Sequence, residues 1–224
     1  MRKAMDVIEA IKTRHSVRAY KPEPVPKDIL AELMEVALRA PSWANTQTWE
    51  FAIVSGETMR ELKQSLGGKA SAQDERYPDI PRPEWPSPYR ERGRENGIRL
   101  YHLLGISRED TKRQLHWFVD MYHFFDAPNG IIVYIDRELS VWALLNVGLI
   151  VQTIGLAALN YGLGTTILAA SVSYPDEVRR MLNIPESKQL VIAMAIGYPD
   201  LEAEVNRFCS NREPLETMVT WHGF

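Results

Sequence analysis

A chain of 224 residues with 45% hydrophobic content has enough apolar material for one sizeable core, and a single domain over 1–224 is the expectation. A net charge of -3, with lysine and arginine spread along the chain, excludes the basic field that tracks nucleic acid. The single Cys209 excludes an internal disulfide, and a start without signal-peptide order points to the reducing cytoplasm.

Positions 6–13 read as a first helix with Val7, Ile8 and Ile11 on one side. The run Arg14, His15, Ser16, Val17, Arg18 follows at its exit, and Pro22, Pro24 and Pro26 keep the next connection extended. A helix over 28–39 carries the stripe Ile29, Leu30, Leu33, Met34, Val36, Ala37, and Pro41 stops it, so the polar segment beyond is a loop. A strand over 49–54 breaks at Gly56, and a helix over 57–66 ends before Gly67 and Gly68. From 67 to 97 the pattern dissolves, and Pro78, Pro81, Pro83, Pro86 and Pro88 forbid regular structure for about ten residues. The aromatic Tyr77, Trp85 and Tyr89 and the nearby arginines make this an ordered insertion over a site, spanning about 67–127.

Further on, a helix over 110–125 leads to a strand over 130–135, a long apolar helix over 141–161 and a strand over 165–168. A helix over 176–182 and a strand over 190–196 follow. Positions 139–175 hold no charged residue, yet Asn146, Gln152, Thr153 and Asn160 interrupt them, which argues against a membrane span. A helix apolar all round is instead buried centrally or against a second subunit. From 201 a polar tail regains strand character over 217–221, as an arm docking on a partner would. Helices mixed with few strands indicate an α+β fold.

Two guanidiniums, an imidazole and a hydroxyl within 14–18 suit an anion pocket, although Arg14 and Arg18 alone read equally as solvated cations. Ser42, Asn45 and Gln47 alone read equally as an ordinary polar turn. Gly162 and Gly164 are no dinucleotide fingerprint, since the third glycine is missing and the segment leaves a helix for a strand. His15, His102, His116, His123 and His222 lack metal-ligand spacing, and no nucleophile elbow is present.

Taken together, 14–18, the segment Ala40, Pro41, Ser42, Trp43, Ala44, Asn45, Thr46, Gln47, Thr48, Trp49, and the late Arg212, Glu213, Pro214, Leu215, Glu216 resemble the nitroreductase family of FMN enzymes, across nearly the whole chain. The resemblance implies a three-layer fold, with a mostly antiparallel central sheet flanked by helices, in an intertwined homodimer with an exchanged C-terminal arm at about 201–224. It implies that Arg14, His15 and Ser16 meet the flavin phosphate, that Arg18 reaches the pyrimidine edge and raises the reduction potential, and that Arg212 returns to the phosphate. Pro41, Ser42, Trp43, Asn45 and Gln47 would lie along the flavin from the other subunit, with Trp43 shaping the substrate face. The backbone of Ala169, Ala170 and Ser171 would meet the ring. Thr48 stands where the family reads proline, and Ser210 where some relatives carry lysine, for which Arg207 is a substitute. Tyr89, Arg90, Glu91 and Arg92, with Gly97, Leu100, Tyr101, Leu104, Gly105, Ile106, Arg108 and Asp110, resemble a bacterial branch with a long mid-chain insertion, as do the terminal Trp221, His222, Gly223 and Phe224.

The implied activity is a ping-pong oxidoreductase: tightly bound FMN takes electrons from NADH or NADPH and passes them to nitroaromatic, quinone or related small-molecule acceptors. A reductive dehalogenase or enoate reductase on the same fold is one alternative, separable by acceptor screening. A non-catalytic flavin-binding redox sensor is the other, separable by anaerobic mixing with NADH. No metal, nucleic acid or membrane enters this expectation.

Overall fold

The two longest apolar strand segments pair with each other, and this places them at the middle of the sheet. The computed structural model describes residues 5–224. Strands β1 (Glu50–Ser55), β2 (Asn129–Asp136), β3 (Gly164–Leu168) and β4 (Lys188–Gly197) form one antiparallel sheet in the order β1-β2-β4-β3. Ile131, Ile132, Val133, Ala193, Met194 and Ala195 in the central pair are buried on both faces, so the sheet demands a helical layer on each side.

Helices α1 (Val7–Thr13) and α2 (Lys27–Ala37) open the chain, and the Asp6 carboxylate caps α1 by accepting from the Ile8 and Glu9 N–H groups. Helix α3 (Gly56–Ser71) follows β1, α4 (Tyr89–Leu103) and α5 (Thr111–Tyr122) precede β2, and α6 (Trp142–Asn160) joins β2 to β3. Helix α7 (Pro175–Leu182) lies between β3 and β4, and the four-residue α8 (Leu215–Met218) sits in the tail. One layer, from α3, α5 and α7, packs Met59, Leu62, Leu66, Tyr122 and Val178 against the sheet. The other, from α2 and α6, packs Leu30, Leu33, Ala37, Ile150 and Ile154. The three layers and the antiparallel sheet read from the sequence are therefore present.

Four features differ from the sequence reading. Helix α3 does not stop at Gly67 and Gly68 but runs on to Ser71. Gly67 is there for close packing: a Cβ on it would fall 1.8 Å from Nε2 of His123. Helix α4 has no counterpart in the periodicity, because its first turns are Tyr89, Arg90, Glu91, Arg92, Gly93 and Arg94, and only its second half buries Leu100. The strand over 217–221 does not form: a strand needs a neighbour to pair with, and the tail has none within one chain. Finally, α6 is only half buried. Ala143, Val147, Ile150, Val151 and Ile154 face inward, whereas Trp142, Leu145 and Leu149 are exposed at 64%, 54% and 37%.

The proline-rich segment stays ordered because a buried carboxylate pins it. Asp79 accepts from the buried Arg179 guanidinium, from Arg137 at 2.9 Å and from the Leu190 N–H at 2.8 Å.

Gly164 is the tightest point between the sheet and the N-terminal segment. A Cβ there would lie 2.4 Å from Cγ2 and 2.8 Å from Cβ of Val17, a β-branched residue that cannot swing aside. Gly164→Ala should therefore cost about 1–3 kcal/mol by overpacking, read as a lowered urea midpoint at unchanged slope.

Candidate functional site

Beyond α1 the chain runs extended along the free edge of β3. Ser16 bridges Thr165 in parallel, the Val17 N–H donates to the Thr165 carbonyl at 3.1 Å, and the Val17 carbonyl accepts from Thr166 Oγ1 and from the Tyr20 hydroxyl. In an extended chain alternate side chains share a side, so Arg14, Ser16 and Arg18 are grouped while Val17 is buried on Gly164. The His15 ring turns back, its Nδ1 2.9 Å from the Thr13 carbonyl. Beneath Arg14 lies Gly155 of α6, where a Cβ would stand 3.6 Å from Arg14 Cδ and 3.5 Å from Thr165 Oγ1.

The tail is fastened onto this segment by one buried amide. Asn206 accepts from the Arg18 and Ala19 N–H groups at 2.7 and 3.2 Å, and donates to the Ala19 and Asp200 carbonyls at 2.8 Å each. Phe208 then lies under the Arg18 guanidinium, 5.9 Å away. Arg212 reaches the neighbourhood of Arg14: burial first, and the Arg212 charge second, hold the Arg14 guanidinium below its usual pKa, with Cys209 acting the other way. Burial also lowers Arg18. Among the described residues, neither Arg14, Arg18 nor Arg212 has a carboxylate partner; Arg212 donates only to the Ser210 and Asn211 carbonyls, and Arg18 to that of Ser16. Arg207, the proposed substitute, is exposed at the end of a single helical turn. Cations from the two ends of the chain thus converge on one edge without an anion between them, which is an anion-binding arrangement.

Sequence reasoning missed Arg99. It lies on α4, donates to the Cys209 carbonyl at 3.4 Å and stands 5.5 Å over the same Phe208 ring as Arg18. Its signal was the stripe Arg92, Glu95, Asn96, Arg99 at helical spacing, which becomes visible only once α4 is known to be a helix.

Pro41 opens the loop 42–48 and is exposed. Ala44, Asn45 and Gln47 adopt left-handed backbone at φ 47, 57 and 45, a strained combination for non-glycine residues. Two side chains, Ser42 and Asn146, hold it, and Asn146 also donates to Thr46 Oγ1 at 3.5 Å. Ser42 Oγ accepts from the Gln47 N–H at 3.0 Å, and the buried Asn146 of α6 accepts from the Trp43 N–H at 3.0 Å while donating to Thr48 Oγ1 at 3.1 Å. Thr48 in place of proline thus supplies a hydroxyl acceptor for Asn146. The Trp43 ring is 69% exposed, at the rim of a hollow of about 380 Å³ shared with Gln47, Thr48 and Trp142.

After β3 the chain turns through a single 3-10 turn, Ala170–Val172, whose first N–H groups have no partner within the turn. Ala169 is exposed; Ala170 and Ser171 are buried, and Ser171 Oγ donates to the Met121 carbonyl at 2.7 Å, tying this turn to α5.

The structure brings 14–18 and Arg212 together, but not the loop 42–48. Asn146 and Gly155, which mark the two groups, are nine positions apart on α6, about 14 Å along the helix and half a turn around it. Within one chain the loop is on the far side of α6.

The model of the Nitroreductase family matches residues 11–198. A 4-nitrobenzoate reductase of Nocardioides sp. (strain LMS-CY) is 32% identical, over 97% of this chain and 92% of the relative. The FMN and NADPH-dependent nitroreductase NfnB of Sphigopyxis sp. strain HMH superposes with a TM-score of 0.93 at 29% identity, covering 98% of this chain and 100% of that one. NfnB of Mycobacterium smegmatis, FMN-dependent and in complex with NADPH, superposes at 0.91 and 29% identity, covering 97% and 100%.

Asn146→Ala should remove three loop contacts at once and leave the Trp43 N–H without its acceptor. A loss of about 1–3 kcal/mol in urea unfolding is expected, with faster amide exchange at 43–48. Unchanged exchange there would assign the strained loop to another restraint.

Proposed function

The chain belongs to the nitroreductase family, and on that premise we propose that it binds FMN and passes electrons from NADPH or NADH to nitroaromatic acceptors. The observation that carries this reading is the fastening of the two ends of the chain: Asn206 accepts from the Arg18 and Ala19 N–H groups and Phe208 lies 5.9 Å from the Arg18 guanidinium, which sets the 14–18 segment beside the tail that carries Arg212. The residues fit the phosphate end of the cofactor: Arg14 and Arg212 offer forked donors and Ser16 a hydroxyl. His15 stands beside them. When bound, FMN would supply the two-electron redox chemistry between reduced nicotinamide and the acceptor. Arg18 presents a fixed guanidinium for the pyrimidine edge, where reduction adds negative charge, and its half-buried position keeps that charge from being screened by water. The turn at Ala169, Ala170 and Ser171 offers backbone donors to the ring. No side chain has to act as acid or base.

We assign the loop Pro41, Ser42, Trp43, Asn45 and Gln47 to the site of a second copy. Trp142, Leu145 and Leu149 form an exposed stripe that continues through Gln152 to Leu156 at alternating three- and four-residue steps. On the helical wheel this stripe lies between the directions of Asn146 and Gly155. In an isologous dimer with α6 antiparallel to its copy, the Asn146 end of one chain meets the Gly155 end of the other, and the loop reaches the arginines in trans. Val7, Ile8 and Ile11 of α1 and Leu215, Met218, Trp221 and Phe224 of the tail are exposed as well, and such apolar area supports a homodimer with the tail as a docking arm. The exposed Cys209 thiol suits the cytoplasm.

The purified protein should be yellow with about one FMN per chain, and anaerobic NADPH or NADH should bleach it until a nitroaromatic restores the colour. Flavin that is held but not reduced would leave a redox sensor in place of an enzyme.

Arg212→Ala should weaken FMN binding by about 1.5–3 kcal/mol in fluorescence titrations, the range for a lost bond to a charged group. Unchanged affinity would move the phosphate contact away from the tail.

Sedimentation velocity should show a dimer that Leu145→Arg converts to monomer with loss of bound FMN. A flavin-loaded monomer would remove the trans loop from the site.

A further inference from the structure

We infer that Arg99 is a third cation for the flavin phosphate, delivered by α4 from outside the segments that carry Arg14 and Arg212. This rests on the FMN reading above and adds a residue to it.

Helix α4 lays one face against the tail. Arg92, Glu95, Asn96 and Arg99 fall at i, i+3, i+4 and i+7 and line a hollow of about 260 Å³ together with Asn211 and Arg212. The two arginines of this stripe differ in what they meet. Arg92 is neutralised by Glu213, Nε to Oε1 3.0 Å. Arg99 has no carboxylate among the described ion pairs, and its one hydrogen bond, to the Cys209 carbonyl at 3.4 Å, is long and occupies one of the five N–H groups a guanidinium carries. It is held in place by stacking: its guanidinium lies 5.5 Å from the Phe208 centroid, and Arg18 lies 5.9 Å from the same centroid. Arg18 and Arg99 are thus gathered on one ring, with Arg212 four residues further along the tail; among the described residues none of the three makes an ion pair, although Glu95 and the Arg92-bound Glu213 also line the hollow.

Like charges gathered in this way repel unless an anion lies among them. A phosphate monoester carries about two negative charges and three terminal oxygens, more acceptor capacity than two guanidiniums and one serine hydroxyl occupy. Ser210, next to the carbonyl that Arg99 touches, brings no charge. Arg99 shares a hollow with Arg212 and reaches the carbonyl next to Ser210, and its position over Phe208 aims it without an ion pair of its own.

A purely structural Arg99, one that only pins the tail, would act on any flavin equally. The test therefore compares FMN with riboflavin, which has the same ring and ribityl chain but no phosphate. Arg99→Met keeps the stem over Phe208 and removes the charge; Arg99→Gln is the second variant, and Arg92→Gln breaks the neighbouring tie to Glu213 as a control. Dissociation constants are measured by fluorescence on apoprotein reconstituted with each flavin, with thermal melts to verify folding. We expect FMN affinity to fall by about tenfold or more in both Arg99 variants, riboflavin affinity to stay within about twofold, and Arg92→Gln to leave the ratio of the two affinities unchanged. Equal loss for both flavins, or no loss for FMN, overturns the inference and leaves the FMN reading standing. Wild-type protein that takes up neither flavin overturns both.

Discussion

The seating of Val17 on Gly164 is the constraint on which the site depends. A side chain at 164 would push the 14–18 segment off the β3 edge, and with it the alternation that groups Arg14, Ser16 and Arg18. Everything else at that edge is fastened to the same short stretch. Asn206 satisfies the N–H groups of Arg18 and Ala19, so the tail cannot leave without exposing two donors and its own buried amide. Phe208 and Arg212 are carried along by that bond. A pocket of unpaired cations is electrostatically unfavourable by itself, and here it is maintained by backbone hydrogen bonds, by packing, and by contacts of the guanidiniums with carbonyls and with the Phe208 ring.

Helix α6 performs two tasks that its composition merges. Its inward face supplies core against β2 and β4, its outward face is an apolar stripe without a cover, and two small or polar residues on its flanks carry the functional groups. Asn146 holds the strained loop; Gly155 lies beneath Arg14 and Thr165. The two residues lie half a turn apart, so within this chain the loop and the arginines are on different sides of the helix. In the proposed dimer, the second copy's loop would complete the site, and assembly would be part of building it.

Much of this was legible in the sequence, and the reasons it stopped are physical. The core helices and strands announce themselves by period: the stripe of α2 and the continuous apolar runs of β2 and β4 are signals that packing cannot disguise. Gly67 misled because a helix-breaking propensity of about 1 kcal/mol is overridden when the absent side chain admits the His123 ring. Helix α4 was illegible because its first half is solvated and its packing partner, the turn at 203–208, is distant in sequence. Arg99 was missed with it. Residues 217–221 have the composition of a strand, but among the described residues no strand pairs with them, and the stretch instead runs on from the Leu215–Met218 turn without regular structure. The motif residues at 14–18 and 212 were readable only as a resemblance, since nothing in their spacing says that the two ends of the chain meet.

The mid-chain segment lies outside the sheet and is nevertheless held firmly at both ends. Its near end is locked by Asp79, whose carboxylate answers Arg179, Arg137 and a β4 backbone N–H at once. Its far end, α4, is locked by apolar contact of Leu100 with Val205 and Phe208, and by Arg92 on Glu213. Between these anchors the segment exposes Tyr77, Trp85 and Tyr89 to solvent with arginines among them. Fixed at both ends, it presents aromatic and arginine side chains on a segment that is already ordered, so a ligand meeting it would not incur the entropy cost of ordering a free loop. The same two anchors deliver Arg99 to the tail. The segment that the core does not need is thereby coupled, through Phe208, to the part of the chain that holds the cations.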